Sequence, residues 1–335
     1  MVKVLVELMR KHSVFVAGYA LIEGGKIVDQ QTISLHPKMH VSTESLFQAC
    51  SLSKPLTAWA ILHLVREGKI DLHQPLNSQL QDWKIPPSEY GDVTISQCLS
   101  MTSGLCYGDP DQKIPNYPHD ATLPSLKETL DGCLPAINPA IRLGLKSGSR
   151  YIYSGAGFMV LQQLIEEKTG QSFAEYMDQV IFKQLGMIKS TFECPLKKWH
   201  ADAVSGFNAL GEMNAGGWDQ IPSSASGGLW STPRDLAEFM IHLANAKTML
   251  TRQDHSRFGL GVVIDEVNGV INFRKNGCNA GFQNEMIMFP ESGQGIVVMT
   301  NSAAGMPLIQ EWIAHVAAEY HWPAYDHHFN EMILI

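Results

Sequence analysis

Ser51-Leu52-Ser53-Lys54 is the stretch on which the reading of this chain turns. Residues three apart on a helix share one face, so Ser51 and Lys54 point the same way. At a helix start the serine can be a nucleophile and the lysine the group that takes its proton. Pro55 suits a first turn, where a missing backbone N–H costs nothing. The run Leu56, Trp59, Ile61, Leu62, Leu64 and Val65 predicts a buried helix over Pro55–Glu67. No second Ser-x-x-Lys occurs in the chain. Read alone, Ser51 could cap the helix and Lys54 could sit in solvent, so the decision rests on what surrounds them.

Three further patches carry the residue types that acyl transfer needs. In Tyr151-Ile152-Tyr153-Ser154-Gly155 a tyrosine can hold and pass a proton, because nearby positive charge favours the phenolate. Alternation along an extended stretch gives one tyrosine to packing and the other to the site, and Tyr153 is the candidate. In Lys275-Asn276-Gly277-Cys278 a strand-edge N–H can stabilise an oxyanion and a lysine can bind a substrate carboxylate. The plain alternative for Lys275 is a solvated charge on an edge strand. Thr102-Ser103-Gly104-Leu105 ends a predicted helix that braces the site.

Around these patches the chain reads as strand, helix and strand again. Val14–Ser34 predicts a hairpin, and helices are predicted at Pro55–Glu67, Ile95–Met101, Gly157–Thr169, Phe173–Phe182 and Pro233–Ala246. Gly259–Asp265 and Val270–Arg274 flank Asn268-Gly269, a hairpin turn signal. Phe282–Phe289 and Gly295–Asn301 follow, and a helix over Leu308–Tyr320 closes the chain. The expectation is an α+β fold, an α/β sandwich plus a helical domain. One antiparallel sheet is built from both termini (residues 1–50 and 246–335), with a mostly helical domain (51–245) inserted and the site between them. The long segments Tyr107–Pro139 and Gly206–Gly228 are the candidate functional loops. Trp218, Trp230 and Tyr107 are candidates to line the cleft.

With Ser51, Lys54, Tyr153 and Lys275-Asn276-Gly277 in this order and spacing, the chain resembles the serine β-lactamase and penicillin-binding protein superfamily. The likeness is to the branch of class C β-lactamases, D-alanyl-D-alanine carboxypeptidases and related esterases, and runs from about Leu8 to Tyr320. Ser51–Lys54 matches the family's Ser-x-x-Lys, and Lys275-Asn276-Gly277 its Lys/His-x-Gly. Leu99–Leu105 is similar to its Leu-x-His-Thr-Ser-Gly-Leu, and Gly227–Leu236 to its Gly-Gly-Leu-x-Ser-Thr-x-x-Asp-Leu. The resemblance implies a β-lactamase/transpeptidase-like fold and a serine hydrolase. Ser51 would attack a carbonyl, Lys54 with Tyr153 would move the proton, and the Ser51 and Cys278 N–H groups would hold the oxyanion. Burial and Lys275 would have to lower the Lys54 pKa from its usual value of about 10.4.

Tyr153-Ser154-Gly155 departs from the family's Tyr-x-Asn. Gly155 cannot supply the amide that would bond the lysine and the substrate; the candidates to replace it are a water or another side chain, Asn279 or Asn116. This departure keeps a second class of reading open, a catalytically weak homologue that binds acyl or peptide ligands. Lys275, by contrast, favours a substrate that carries a carboxylate.

Composition narrows the partners. The 335 residues are 45% hydrophobic and 17% charged with a net charge of -8, as in a soluble globular protein with no affinity for nucleic acid or an anionic membrane surface. No apolar run reaches membrane-spanning length. Glu7 and Arg10 interrupt what a signal peptide would keep apolar, and the six cysteines (50, 98, 106, 133, 194, 278) are scattered singly. Both point to the cytoplasm, or to a periplasmic or secreted protein if a leader has been removed. The partner expected is a small-molecule or short-peptide substrate. No cofactor is expected: there is no phosphate loop, no Gly-x-Ser-x-Gly elbow and no metal spacing, and His119-Asp120 and His327-His328 are chance neighbours among 13 histidines. The apolar end Met332-Ile333-Leu334-Ile335 is a candidate docking segment.

Overall fold

The computed structural model describes residues 1–109, 115–197, 199–253, 257–323 and 325. Its strands are β1 (Val16–Glu23), β2 (Lys26–Ser34), β3 (Phe47–Cys50), β4 (Leu105–Tyr107), β5 (Ile141–Leu143), β6 (Leu229–Ser231), β7 (Val263–Val267), β8 (Val270–Asn279), β9 (Phe282–Phe289) and β10 (Gln294–Thr300). The α-helices are α1 (Val2–Lys11), α2 (Ser53–Arg66), α3 (Leu76–Gln79), α4 (Ile95–Leu99), α5 (Leu126–Asp131), α6 (Ala156–Thr169), α7 (Phe173–Tyr176), α8 (Lys183–Leu185), α9 (Ser224–Gly227), α10 (Pro233–Leu243) and α11 (Met306–Glu319).

Six strands form one antiparallel sheet in the order β2-β1-β10-β9-β8-β7, so β1 from the start of the chain pairs with β10 from its end. Side chains alternate across such a sheet, and β10 shows it. Ile296 and Val298 join an outer core, while Val297 and Met299 face the larger inner one. The outer core is closed by α1 and α11 through Leu5, Met9, Leu308, Trp312 and Val316. Each such fully buried large side chain contributes about 1.5–3 kcal/mol. Helix α1 is a feature the sequence reading did not assign: Leu5 and Met9, four apart, are buried and Lys11 pairs with Glu311 at 2.7 Å.

On the inner face α10 packs on β1, β2 and β10. It starts where the sequence placed it, with Thr232 accepting from the Asp235 N–H and Pro233 in the first turn. Two short ribbons, β3 with β6 and β4 with β5, lie outside the main sheet. The Asn284 side chain on β9 donates to the Gln48 carbonyl at 2.9 Å and holds β3 against the sheet.

Some expected elements moved. The strand expected at Gly259–Asp265 begins only at Val263, because Gly261 takes a φ of 82° and donates instead to Leu99 O. Beyond the Asn268-Gly269 turn, β8 runs on past Arg274 to Asn279, which places Lys275–Cys278 within the strand. The helix expected at Phe173–Phe182 is α7 continued by a π-helical turn over Met177–Phe182. The Gly206–Gly228 segment ends in the short helix α9 rather than in open loop. Among the described residues no helix is long and apolar enough to cross a membrane. His327-His328 and Met332–Ile335 lie outside the described residues.

Candidate active site

Ser51 sits at a sharp turn between β3 and α2. Cys50 before it has φ of 54°, a conformation that costs an ordinary side chain about 1–3 kcal/mol. Several bonds hold the turn: Ser53 Oγ donates to Cys50 O at 2.6 Å and accepts from the Leu229 N–H of β6 at 3.0 Å. Thr57 on the next turn of α2 donates to Ala225 O of α9 at 2.7 Å. The Cys50 thiol is buried and donates to Gln48 O at 3.2 Å, so it packs rather than reacts. Among the described residues the Ser51 N–H finds no carbonyl acceptor.

Lys54 is fully buried at 0% exposure. Its Nζ lies 3.1 Å from Ser51 Oγ and donates to Ser226 O at 2.6 Å. The rings of Tyr153 and Phe158 lie 4.8 and 5.6 Å away. Burial pushes its pKa down to about 7, because the charged form loses its hydration. Burial alone lowers it; Lys275, which the sequence reading expected to help, is not among the causes.

Tyr153 OH is 2.5 Å from Ser51 Oγ. Its loop is clamped to the 101–105 segment, since the Ile152 N–H donates to Met101 O at 2.8 Å and Ser154 Oγ to Leu105 O at 2.6 Å. The Thr102–Leu105 patch thus braces the tyrosine loop. Tyr151 turns the other way and stacks on Phe258 at 4.3 Å.

Pairing between β7 and β8 ends at Arg274, opposite Val263, while pairing with β9 runs on to Asn279. From Lys275 onward, therefore, one edge of β8 is not paired by β7. Gly277 lies there against the nucleophile turn. A Cβ on it would collide with Ala49 O and come within 3.3 Å of Ser51 N. Only glycine allows this approach, and β8 thus passes the Ser51 turn one residue before Cys278. The Cys278 side chain is exposed.

Lys275 is 4% exposed, so it is not a solvated edge charge. Its Nζ donates to Asn276 O at 2.8 Å and to Asn276 Oδ1 at 3.3 Å, and lies 5.2 Å from the Tyr153 ring centre. Burial lowers its pKa; the Tyr153 hydroxyl opposes that and Lys54 adds to it. The site thus brings together Ser51, Lys54, Tyr153, Lys275, Asn276, Gly277 and Cys278.

Other expected residues lie differently. Asn116 and Asn279 do not reach Lys54; they bond each other, and Asn279 Nδ2 donates to Gln48 Oε1 at 2.9 Å. The acceptor that holds Lys54 in place of the missing asparagine is the Ser226 carbonyl. A backbone atom leaves no side-chain signal, so the sequence could not name it. Trp218, Trp230 and Tyr107 are buried rather than cleft-lining, with Trp218 packed on Trp230 at 5.0 Å. His119 packs on Trp218 at 5.2 Å, and among the described residues no cluster is arranged to hold a metal.

The model of the family described as Beta-lactamase matches residues 1–319. The chain belongs to the beta-lactamase family. Among relatives of this beta-lactamase family chain, "Probable hydrolase M10" of a Phoma species is 24% identical over 308 residues, covering 80% of this chain and 50% of that protein. "Protein flp" of Staphylococcus aureus is 24% identical over 289 residues, covering 79% and 54%. The chain thus spans about half the length of these curated relatives.

Solved structures share the fold. The octameric penicillin-binding protein homologue from Pyrococcus abyssi has a TM-score of 0.75 at 22% identity, over 95% of this chain and 76% of that one. A beta-lactamase/D-alanine carboxypeptidase from Yersinia pestis has a TM-score of 0.73 at 18% identity, over 93% and 97%.

Proposed function

We propose that this beta-lactamase family protein is a serine hydrolase that works through a covalent acyl-enzyme on an amide or ester of a small acyl group. The observation that carries the reading is the 2.5 Å and 3.1 Å contacts of Ser51 Oγ with Tyr153 OH and with a fully buried Lys54. A lysine whose pKa is lowered to about 7 is in part neutral at pH 7 and can accept a proton.

In the proposed cycle Ser51 Oγ attacks the carbonyl carbon as its proton passes to Tyr153 and Lys54. The carbonyl oxygen gains the negative charge and is held by the N–H groups of Ser51 and Cys278, a placement supported by the close approach of Gly277 to the Ser51 turn. Collapse expels the leaving group with the proton taken from Ser51. Water, deprotonated by the same pair, then attacks the ester and releases Ser51 and the acid. The Ser226 carbonyl keeps the lysine aimed without the family asparagine, which supports turnover over a binding-only role. A substrate carboxylate would reach Lys275 by replacing its Asn276 acceptors, and on that ground peptide or β-lactam amides rank above simple esters. A reducing compartment such as the cytoplasm is part of the proposal; it draws on the six free thiols.

An intact-mass time course tests this with a penicillin, an acyl-D-alanyl-D-alanine peptide and p-nitrophenyl acetate, alongside Ser51→Ala. The expected result is a Ser51-dependent adduct or product with at least one. Ligand binding without any Ser51-dependent chemistry would establish the weak homologue instead.

A further inference from the structure

Around Gln48 of β3 and Asn279 of β8, four polar side chains from four separate segments converge. Asn279 follows Cys278 on β8, and its Oδ1 accepts from Asn116 Nδ2. The same Asn116 amide lies 3.5 Å from Asp219 Oδ2. Gln48, three residues before Ser51, accepts from Asn279 Nδ2 at 2.9 Å and donates to the Asp219 carbonyl at 2.7 Å.

Asp219 is the odd member of this group. Burial raises its pKa and the Asn116 amide opposes that; among the described residues no cation contributes. Half-buried carboxylates ordinarily have a charged or hydrogen-bonding partner closer than 3.5 Å. The carboxylate is not needed to fasten its own loop. The loop is held by backbone and amide contacts: Gln48 to the Asp219 carbonyl, and the paired Tyr117 and Gln220 backbones at 3.0 and 2.7 Å.

Resting on the hydrolase reading, we propose that Asp219 receives the α-ammonium group of the acyl residue. The substrates are then α-aminoacyl amides or esters with a free amine, such as short peptides cleaved after their first residue. In an α-aminoacyl group the nitrogen lies about 2.5 Å from the carbonyl carbon. One residue along a strand spans about 3.3 Å. In the proposed pose the oxyanion sits at the Cys278 N–H and the amine extends along β8 toward Asn279, Asn116 and Asp219. An α-amine has a pKa of about 8, so it is mostly charged at pH 7 and supplies the cation that Asp219 lacks among the described residues. At the other end Lys275 is placed for a carboxylate, so a dipeptide presents one complementary group to each end.

The test compares kcat/KM on glycyl, D- and L-alanyl and leucyl p-nitroanilides with their N-acetyl forms, for wild type, Asp219→Asn, Asp219→Glu and Ser51→Ala. The wild type is expected to prefer the free amine at least tenfold. Asp219→Asn brings the ratio close to one, chiefly through KM, and Asp219→Glu restores part of it. Equal use of free and acetylated substrates by the wild type overturns the inference, whether or not the variants fold. So does an unchanged ratio in Asp219→Asn. In either case Ser51-dependent turnover leaves the hydrolase reading standing. Absence of Ser51-dependent turnover of every substrate, with no adduct in the mass experiment, removes the hydrolase reading and this inference with it.

Discussion

Ser51 sits in an enclosed corner: Lys54 beside it is fully buried, Tyr153 OH is 2.5 Å away and a backbone carbonyl fixes the ammonium. Three residues upstream, on β3, the buried Gln48 meets a half-exposed rim of two asparagine amides and one carboxylate. In the corner, exclusion of water acts on a cation and pushes it toward neutrality. On the rim, partial burial acts on an anion that has no counter-charge among the described residues. The contrast separates the two tasks assigned here. In the proposal the corner moves protons and the rim selects what is brought to it.

Ser51→Ala breaks the corner most completely. Acylation measured by intact mass should vanish, a loss of about 10⁴-fold or more in turnover. Tyr153→Phe and Lys54→Met should each cost about 10²–10⁴-fold in kcat/KM by removing a proton carrier. Lys54→Met should also raise the melting temperature, and more so at pH 6 than at pH 10. The folded-state pKa is depressed, so the cost of burying lysine is absent above the unfolded value near 10.4 and grows until the pH falls below about 7.

Gly277→Ala tests the backbone side of the corner. The added methyl meets Ala49 O and moves the Cys278 N–H away, which should cost about 10²–10³-fold in kcat with a lowered melting temperature. Gly155→Asn is the mildest change. Since Ser226 O already holds Lys54, adding the amide should alter acylation by less than about tenfold. A larger gain would mean that the carbonyl is a poor substitute.

The corner was legible in the sequence and the rim was not, for a physical reason. Ser51 and Lys54 are joined by helical spacing, and Gly277 marks a close backbone approach, so local rules expose them. The sheet was legible likewise, through the Asn268-Gly269 turn and the runs Phe282–Phe289 and Gly295–Asn301. The rim is made by Gln48, Asn116, Asp219 and Asn279, which no local periodicity connects. Asn116 and Asn279 were named for the wrong task, and Asp219 was not named. Ser226 acts through its main chain, which any residue could supply. Helix α1 was missed because its short run was weighed only as a leader, although Leu5 and Met9 carry the four-residue spacing of a buried face.

The central claim is that buried Lys54 is the neutral base that activates Ser51. The direct test is the second-order rate of labelling by a fluorophosphonate from pH 5 to 10, with the modified residue located by peptide mapping. The account predicts a label on Ser51 whose rate rises about tenfold per pH unit at low pH and levels off with a midpoint near 7. A midpoint above 9, or a label that persists in Ser51→Ala, would contradict it.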